Sequence, residues 1–223
     1  MARANILVVN SCLPPCFIGV ILRDRALPVH TADPAIEFSS EGMVLVDRAL
    51  TAAGIAVADL NALAFVAGPG SFTGIRIGLS LIKGMAFGRD LPMALLGSLE
   101  LLAAPFFNTT ARQICPVIDA HLGEVYSALY SPQGVELTPP RALAPEALVA
   151  SLAGEILWAG LDALRFREKF SGVNGEFDAP GAEMLAETTM KLGQERVLEG
   201  KMISARDAQP LYLRESYAEM KRA

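Results

Sequence analysis

The chain has 223 residues, 52% of them hydrophobic, and a net charge of −5, with a mean hydropathy of +0.37. That apolar content can bury a sizeable core, which excludes a disordered chain and suits one large domain or two small lobes packed closely together. Arg23, Asp24, Asp47, Arg76, Lys83, Arg89 and Asp90 break the apolar runs before any could span a bilayer, and a net negative surface does not by itself attract phosphate backbones.

The first residues, Met1 to Leu7, carry one basic residue and a short apolar run that meets Asn10, too brief for a signal peptide, so a cytoplasmic location is expected. In chain order, residues 6–9 and 17–22 read as two strands of a hairpin joined by Asn10-Ser11-Cys12-Leu13-Pro14-Pro15-Cys16. Residues 41–53 follow as a helix, with Glu41 in its first turn and Ser39 or Ser40 as its cap. A strand is predicted over 60–67, a helix over 75–87, a short buried strand over 91–97 and a further helix from Ser98. The first lobe is expected to end near Asn108, giving lobes of 1–108 and 109–223.

After that point the order restarts. Strands at 114–119 and 124–130 enclose the turn Ala120-His121-Leu122-Gly123, then helix 145–153, strand 156–160, a short helix around 163–170 and a longer one over 181–194. Asn10 and Asp119 each close a first strand, so two related lobes are expected, each a sheet flanked by helices. Cys12, Cys16 and Cys115 are odd in number and match neither a redox pair nor a zinc knuckle, which makes them reduced structural thiols.

The most informative stretch is Gly68-Pro69-Gly70-Ser71-Phe72-Thr73-Gly74-Ile75-Arg76-Ile77-Gly78, flexible residues between a strand and a helix. A Walker loop would need Gly-Lys-Ser/Thr, but Ile75 follows Gly74; a dinucleotide fold would need an acidic residue where the next strand ends, at Gly97. The glycines are therefore read as shaping a tight connection and a close helix approach. Gly74, Gly78, Leu81 and Met85 fall on one face, with Arg76, Ser80, Lys83 and Phe87 on another. Gly74, Gly78 and Gly84 each cost a helix on the order of 1 kcal/mol, a cost that makes sense where a second helix comes close. In the preceding helix Met43, Val44, Leu45, Val46, Ala49 and Leu50 cover more of the circumference than one buried stripe needs, so a protein partner is expected on the excess.

Residues 68–78, together with Ser40-Glu41, the Asp119-Ala120 to Tyr126 segment and Pro210-Leu211-Tyr212-Leu213-Arg214, resemble the TsaB (YeaZ) family along essentially the whole chain. The resemblance implies an α/β, two-lobed actin-like or ribonuclease-H-like fold. It also implies a non-catalytic subunit that supports a homologous TsaD in making threonylcarbamoyladenosine beside the tRNA anticodon, together with a TsaE-type ATPase. Met43, Leu45, Val46, Leu50, Gly74, Arg76, Gly78, Leu81 and Met85 would then lie on the helical interface, which pairs with a second copy when TsaD is absent.

The chain departs from the family pattern where chemistry would sit. Relatives read Asp-Thr-Ser after the first strand and carry a histidine before Ser-Glu; here the residues are Asn10-Ser11-Cys12 and Ser39. Without the carboxylate that organises a metal-bound triphosphate, and with Pro14 and Pro15 lacking N–H donors, no catalysis, metal or cofactor is expected. His30 and His121 lie in no metal pattern, and Asp119 is read as a strand-end turn residue. Arg76 and Lys83 are a solvated helix face, and Lys201, Arg206, Arg214, Lys221 and Arg222 give the C-terminal segment a basic tilt. The competing reading is an actin-like ATPase or small-molecule kinase.

Overall fold

The computed structural model describes residues 4–36 and 38–213, so Arg214, Lys221 and Arg222 lie outside the described residues. The chain divides into two compact units, one running to Gly97 and taking up Ala186–Leu211 as well, the other formed by Ser98–Leu185.

In the first unit, β1 (Asn5–Asn10) and β2 (Phe17–Leu22) form the expected antiparallel hairpin, and the short β3 (Arg25–Ala26) and β4 (His30–Thr31) both pair with β2. Helix α1 (Phe38–Ala53) leads to β5 (Ala62–Gly68), which lies parallel to β1, and α2 (Phe72–Ala86) leads to β6 (Pro92–Gly97), parallel to β5. The strand β12 (Ile203–Ser204) closes the β6 edge. Every residue of β5 is buried, as a central parallel strand covered on both faces requires.

The second unit repeats the plan. Strands β7 (Gln113–His121), β8 (Glu124–Tyr130) and β9 (Glu136–Leu143) run antiparallel; β10 (Ile156–Ala159) and β11 (Gly175–Asp178) continue parallel on the other side of β7. Helices α4 (Pro145–Ala150) and α5 (Leu161–Arg165) occupy the places in chain order that α1 and α2 hold in the first unit, after α3 (Ser98–Ala103) and before α6 (Ala182–Leu198). Two antiparallel neighbours on one side of the opening strand and two parallel strands on the other make each sheet ribonuclease-H-like, and the repetition gives the α/β actin-like fold the resemblance implied.

Several elements differ from the sequence reading. Helix α1 starts at Phe38, so Ser39 and Ser40 lie inside it and do not cap it, and Glu41 accepts from the Asp33 N–H at 2.9 Å. The helix expected over 163–170 is α5 followed by a separate 3-10 turn, Arg167–Phe170. Strand β9 contains Pro139 and Pro140, which is tolerated because it is an edge strand and its ladder to β8 is irregular there.

One face of the first sheet, Ile6, Val8, Ala62, Ala64 and Ala94, packs on Ala186, Met190 and Val197 of α6. Gly193 permits the approach, since a Cβ there would stand 3.0 Å from that of Ala64. In the second unit the core centres on Trp158, which stacks on Phe170 at 4.3 Å and on Phe177 at 5.9 Å between ring centroids. Cys115 is buried in the same core, and burial pushes its thiol up to about 12.

Truncating Trp158 to alanine removes both stacking partners' contacts and leaves a void that these rings cannot fill. The expected cost is about 3–5 kcal/mol, read from urea unfolding followed by far-UV circular dichroism; a loss under about 1 kcal/mol would show that this aromatic stack is not the centre of the core.

Candidate functional site

The turn after β1 is built around Asn10, which is fully buried. Its Nδ2 donates to the carbonyls of Leu13, at 2.6 Å, and Pro15, at 2.9 Å, while its Oδ1 accepts from the Leu13 N–H at 3.2 Å. A carboxylate has no donors and would set its charge against two carbonyl oxygens. Asn10 therefore holds the Pro-Pro turn in place.

The glycine connection packs against that same turn. Gly68 ends β5 at φ +113, where a side chain would be strained and its Cβ would also lie 3.2 Å from the Leu211 carbonyl oxygen. Ser71 caps α2, its Oγ accepting from the Gly74 N–H at 3.1 Å, while its own N–H donates to the Cys12 carbonyl at 3.1 Å. A Cβ on Gly70 would stand 2.7 Å from the Cys12 oxygen, one on Gly74 2.0 Å from the Ser11 oxygen, and one on Gly78 2.1 Å from Ser11 Oγ. These last three glycines let α2 lie on the turn after β1, and its first amides are answered by Ser71.

This corrects the reading of the helix faces. The neighbour that Gly74 and Gly78 approach is the chain's own turn after β1, at Ser11, and the buried face of α2 is Gly74, Ile75, Gly78, Leu79, Ile82 and Ala86. Leu45, Val46 and Leu50 are likewise buried within the first unit. Of the residues expected on a partner interface, Met43 is 60% exposed, Arg76 is exposed with its guanidinium 3.8 Å from the Phe72 ring centre, and Leu81 and Met85 are half-buried.

Val44, 48% exposed, continues the patch from Met43. Gly84 is exposed, and a Cβ there would meet nothing within 4 Å, so it alone of the three helix glycines faces open space. Within the family motif, Pro69 follows Gly68 through a cis peptide bond and Thr73 is exposed on the first turn of α2. Two residues had no sequence signal. Gly42 lies on α1 beside Phe38 and Leu81, where a Cβ would stand 3.1 and 3.4 Å from them, and Arg89 donates to the carbonyls of Val57, Ala58 and Leu60, fixing the turn before β5.

At the corresponding place in the second unit, Asp119 accepts from the His121 N–H at 2.8 Å and pairs with Arg165 at 3.2 Å, while its own N–H donates to Asp162 at 2.8 Å. It organises the β7–β8 turn. Among the described residues, no three His, Cys, Asp or Glu side chains gather as metal ligands, and no helix is long and apolar enough to cross a membrane.

These features define a duplicated ribonuclease-H-like protein whose first strand ends in an amide and whose glycine connection serves helix packing. The model of the TsaD family, described as tRNA N6-adenosine threonylcarbamoyltransferase, matches residues 34–156. The tRNA threonylcarbamoyladenosine biosynthesis protein TsaB of Escherichia coli is 31% identical over 96% of this chain and 96% of its own length. The TsaB of Haemophilus influenzae is 27% identical over 96% and 95%. A crystal structure from Pseudomonas aeruginosa, described as an uncharacterized protein with similarity to peptidase YEAZ, superposes with a TM-score of 0.80 at 26% identity, covering 95% of this chain and all of that one. The chain belongs to the TsaB (YeaZ) family of tRNA threonylcarbamoyladenosine biosynthesis proteins.

Two substitutions test the site as built. Asn10→Asp removes two buried donors and is expected to cost about 3 kcal/mol. Gly74→Ala forces a Cβ onto a backbone oxygen and is expected to cost about 3 kcal/mol or more. Urea midpoints of both variants, compared with Gly84→Ala, check this; Gly84→Ala should be neutral or stabilising by up to about 1 kcal/mol.

Proposed function

We propose that this chain is a non-catalytic partner subunit in the making of tRNA N6-threonylcarbamoyladenosine, docking a TsaD-type transferase through the outer faces of α1 and α2. The observation that carries the reading is the contrast between the two sides of these helices. Their inner sides are filled by the first unit's own residues, whereas Met43, Val44 and Gly84 are exposed, with half-buried Leu81 and Met85 beside them. An uncovered methionine and valine on α1, and a glycine with open space on α2, suit a helix of a second polypeptide, which approaches most closely where no Cβ intervenes.

The match of 34–156 to the TsaD family model supports a partner built on the same plan, so that equivalent helices would meet across a pseudo-symmetric interface; a second copy of this chain would take the same place when the transferase is absent. Asn10, whose amide is committed to the turn, supports a subunit without catalysis of its own. The chemistry would belong to the transferase, with a TsaE-type ATPase as a further member and tRNA held through the complex, in the cytoplasm. In this reading docking lies wholly in the first unit, whose N-terminal stretch ends at Gly97, short of the boundary at 108 expected from sequence.

The test is a binding measurement between the purified chain and the TsaD homologue of the same organism. Gly84→Leu and Met43→Glu are expected to weaken that complex at least about tenfold while leaving the urea midpoint of the free chain nearly unchanged. Full binding by both variants would remove this face from the interface. Steady phosphate release from ATP and magnesium by the isolated chain would favour the kinase or ATPase reading.

A further inference from the structure

We propose that the segment from Ile203 to Leu211 is a strap that fixes the position of α2 and thereby sets the affinity for the partner; the inference rests on the docking reading above. After α6 the chain pairs with the β6 edge through β12, turns at Ser204 with the Asp207 N–H donating to its carbonyl at 3.0 Å, and buries Ala205 and Ala208 against the first unit.

It then bonds to the end of β5, just ahead of α2, and to the last turn of α2. In the last turn of α2, Lys83 Nζ donates to the Arg206 carbonyl at 3.1 Å. Ahead of α2, the Leu211 N–H donates to the Ala67 carbonyl at 2.9 Å, and the Leu211 oxygen lies where a side chain on Gly68 would be. Lys83 is the basic residue at the C-terminal turn, where its charge also complements the helix dipole.

Beyond the Lys83 anchor the outer side of the helix end borders open space, while Ile82 and Ala86 are buried beneath it and Arg89 donates to the carbonyls of Val57, Ala58 and Leu60. A hollow of about 680 Å³, lined by Lys83, Ala86, Phe87, Gly88 and Asp90 on one side and Ser204 to Arg206 on the other, lies open beside it. Phe87, which ends the helix, is 89% exposed. The Lys83 bond ties this end of the helix to the strap. A helix held at both ends is preorganised for docking; one that is loose must be ordered as the partner binds, and affinity falls by that cost.

Leu211→Pro deletes one tether while keeping an apolar side chain, since proline has no N–H; Lys83→Met deletes the other and keeps the aliphatic stem. Each variant is read in two ways, by hydrogen exchange of the α2 amides in the free chain and by affinity for the TsaD homologue. The expected result is faster exchange in α2 and affinity weakened about 3- to 10-fold, the size of one hydrogen bond. Urea midpoints confirm that each variant is folded. Unchanged exchange and unchanged affinity in Leu211→Pro would overturn the strap, and so would weaker binding by Lys83→Met without faster exchange, which would make Lys83 a direct contact. Failure of the unaltered chain to bind the homologue would instead overturn the docking reading.

Discussion

In the first unit, helix α2 rests on the turn after β1 at a distance that only hydrogen atoms can fill. The Ser11 carbonyl occupies the space a side chain on Gly74 would need, and the Ser11 hydroxyl does the same at Gly78. This contact joins two pieces of chain far apart in sequence. It fixes where α2 lies relative to β1 and β5, and hence which of its side chains remain outside. The turn can serve as a floor because Asn10 stiffens it from within, with two donated bonds and one accepted. An aspartate there would be drawn toward a cation and repelled by the same carbonyls, so the turn could not be held by this pattern of bonds.

The two units show how one plan diverges under different side chains. Gly68 ends β5 and Gly160 follows β10, both with positive φ, +113 and +106, the backbone bend that sends the chain from strand to helix. After Gly68 the helix runs from Phe72 to Ala86, long enough to offer an outer face; after Gly160 it runs only from Leu161 to Arg165. At the end of the opening strand, the first unit has an amide satisfied by its own turn, and the second has Asp119 satisfied by the His121 N–H and Arg165. In both, the polar group at the strand end is occupied by neighbours in the chain.

Much of this is legible in the sequence because it is periodic or local. The hairpins at β1–β2 and β7–β8, the fully apolar β5 and the restart of the order after the first lobe follow from residue patterns with short-range causes. The rest depends on long-range contact. Residues 186–211 group with the first unit, although local pattern places them in the stretch after 109. Edge strand β9 is hidden by Pro139 and Pro140, which forbid a central strand and permit an edge one. The glycines of α2 announce a close approach but carry no side chain to say toward what, so helical spacing alone assigns Gly74 and Gly78 to a partner when Ser11 is their neighbour. The loss of charge at Asn10 can be read from one letter; the bonds its amide makes cannot.

The inner and outer requirements on α2 are coupled through its backbone. Small residues inside lower the helix onto the turn, and at 74 and 78 they add no apolar area of their own, so the helix gains less from burial than its length would suggest. Its buried face, Ile75, Leu79, Ile82 and Ala86, is joined by directed contacts at the two ends: the Ser71 cap and the Leu211 bond before its first turn, and the Lys83 bond to the strap in its last. Such a helix is placed by its close contact with the turn and by hydrogen bonds at its ends together.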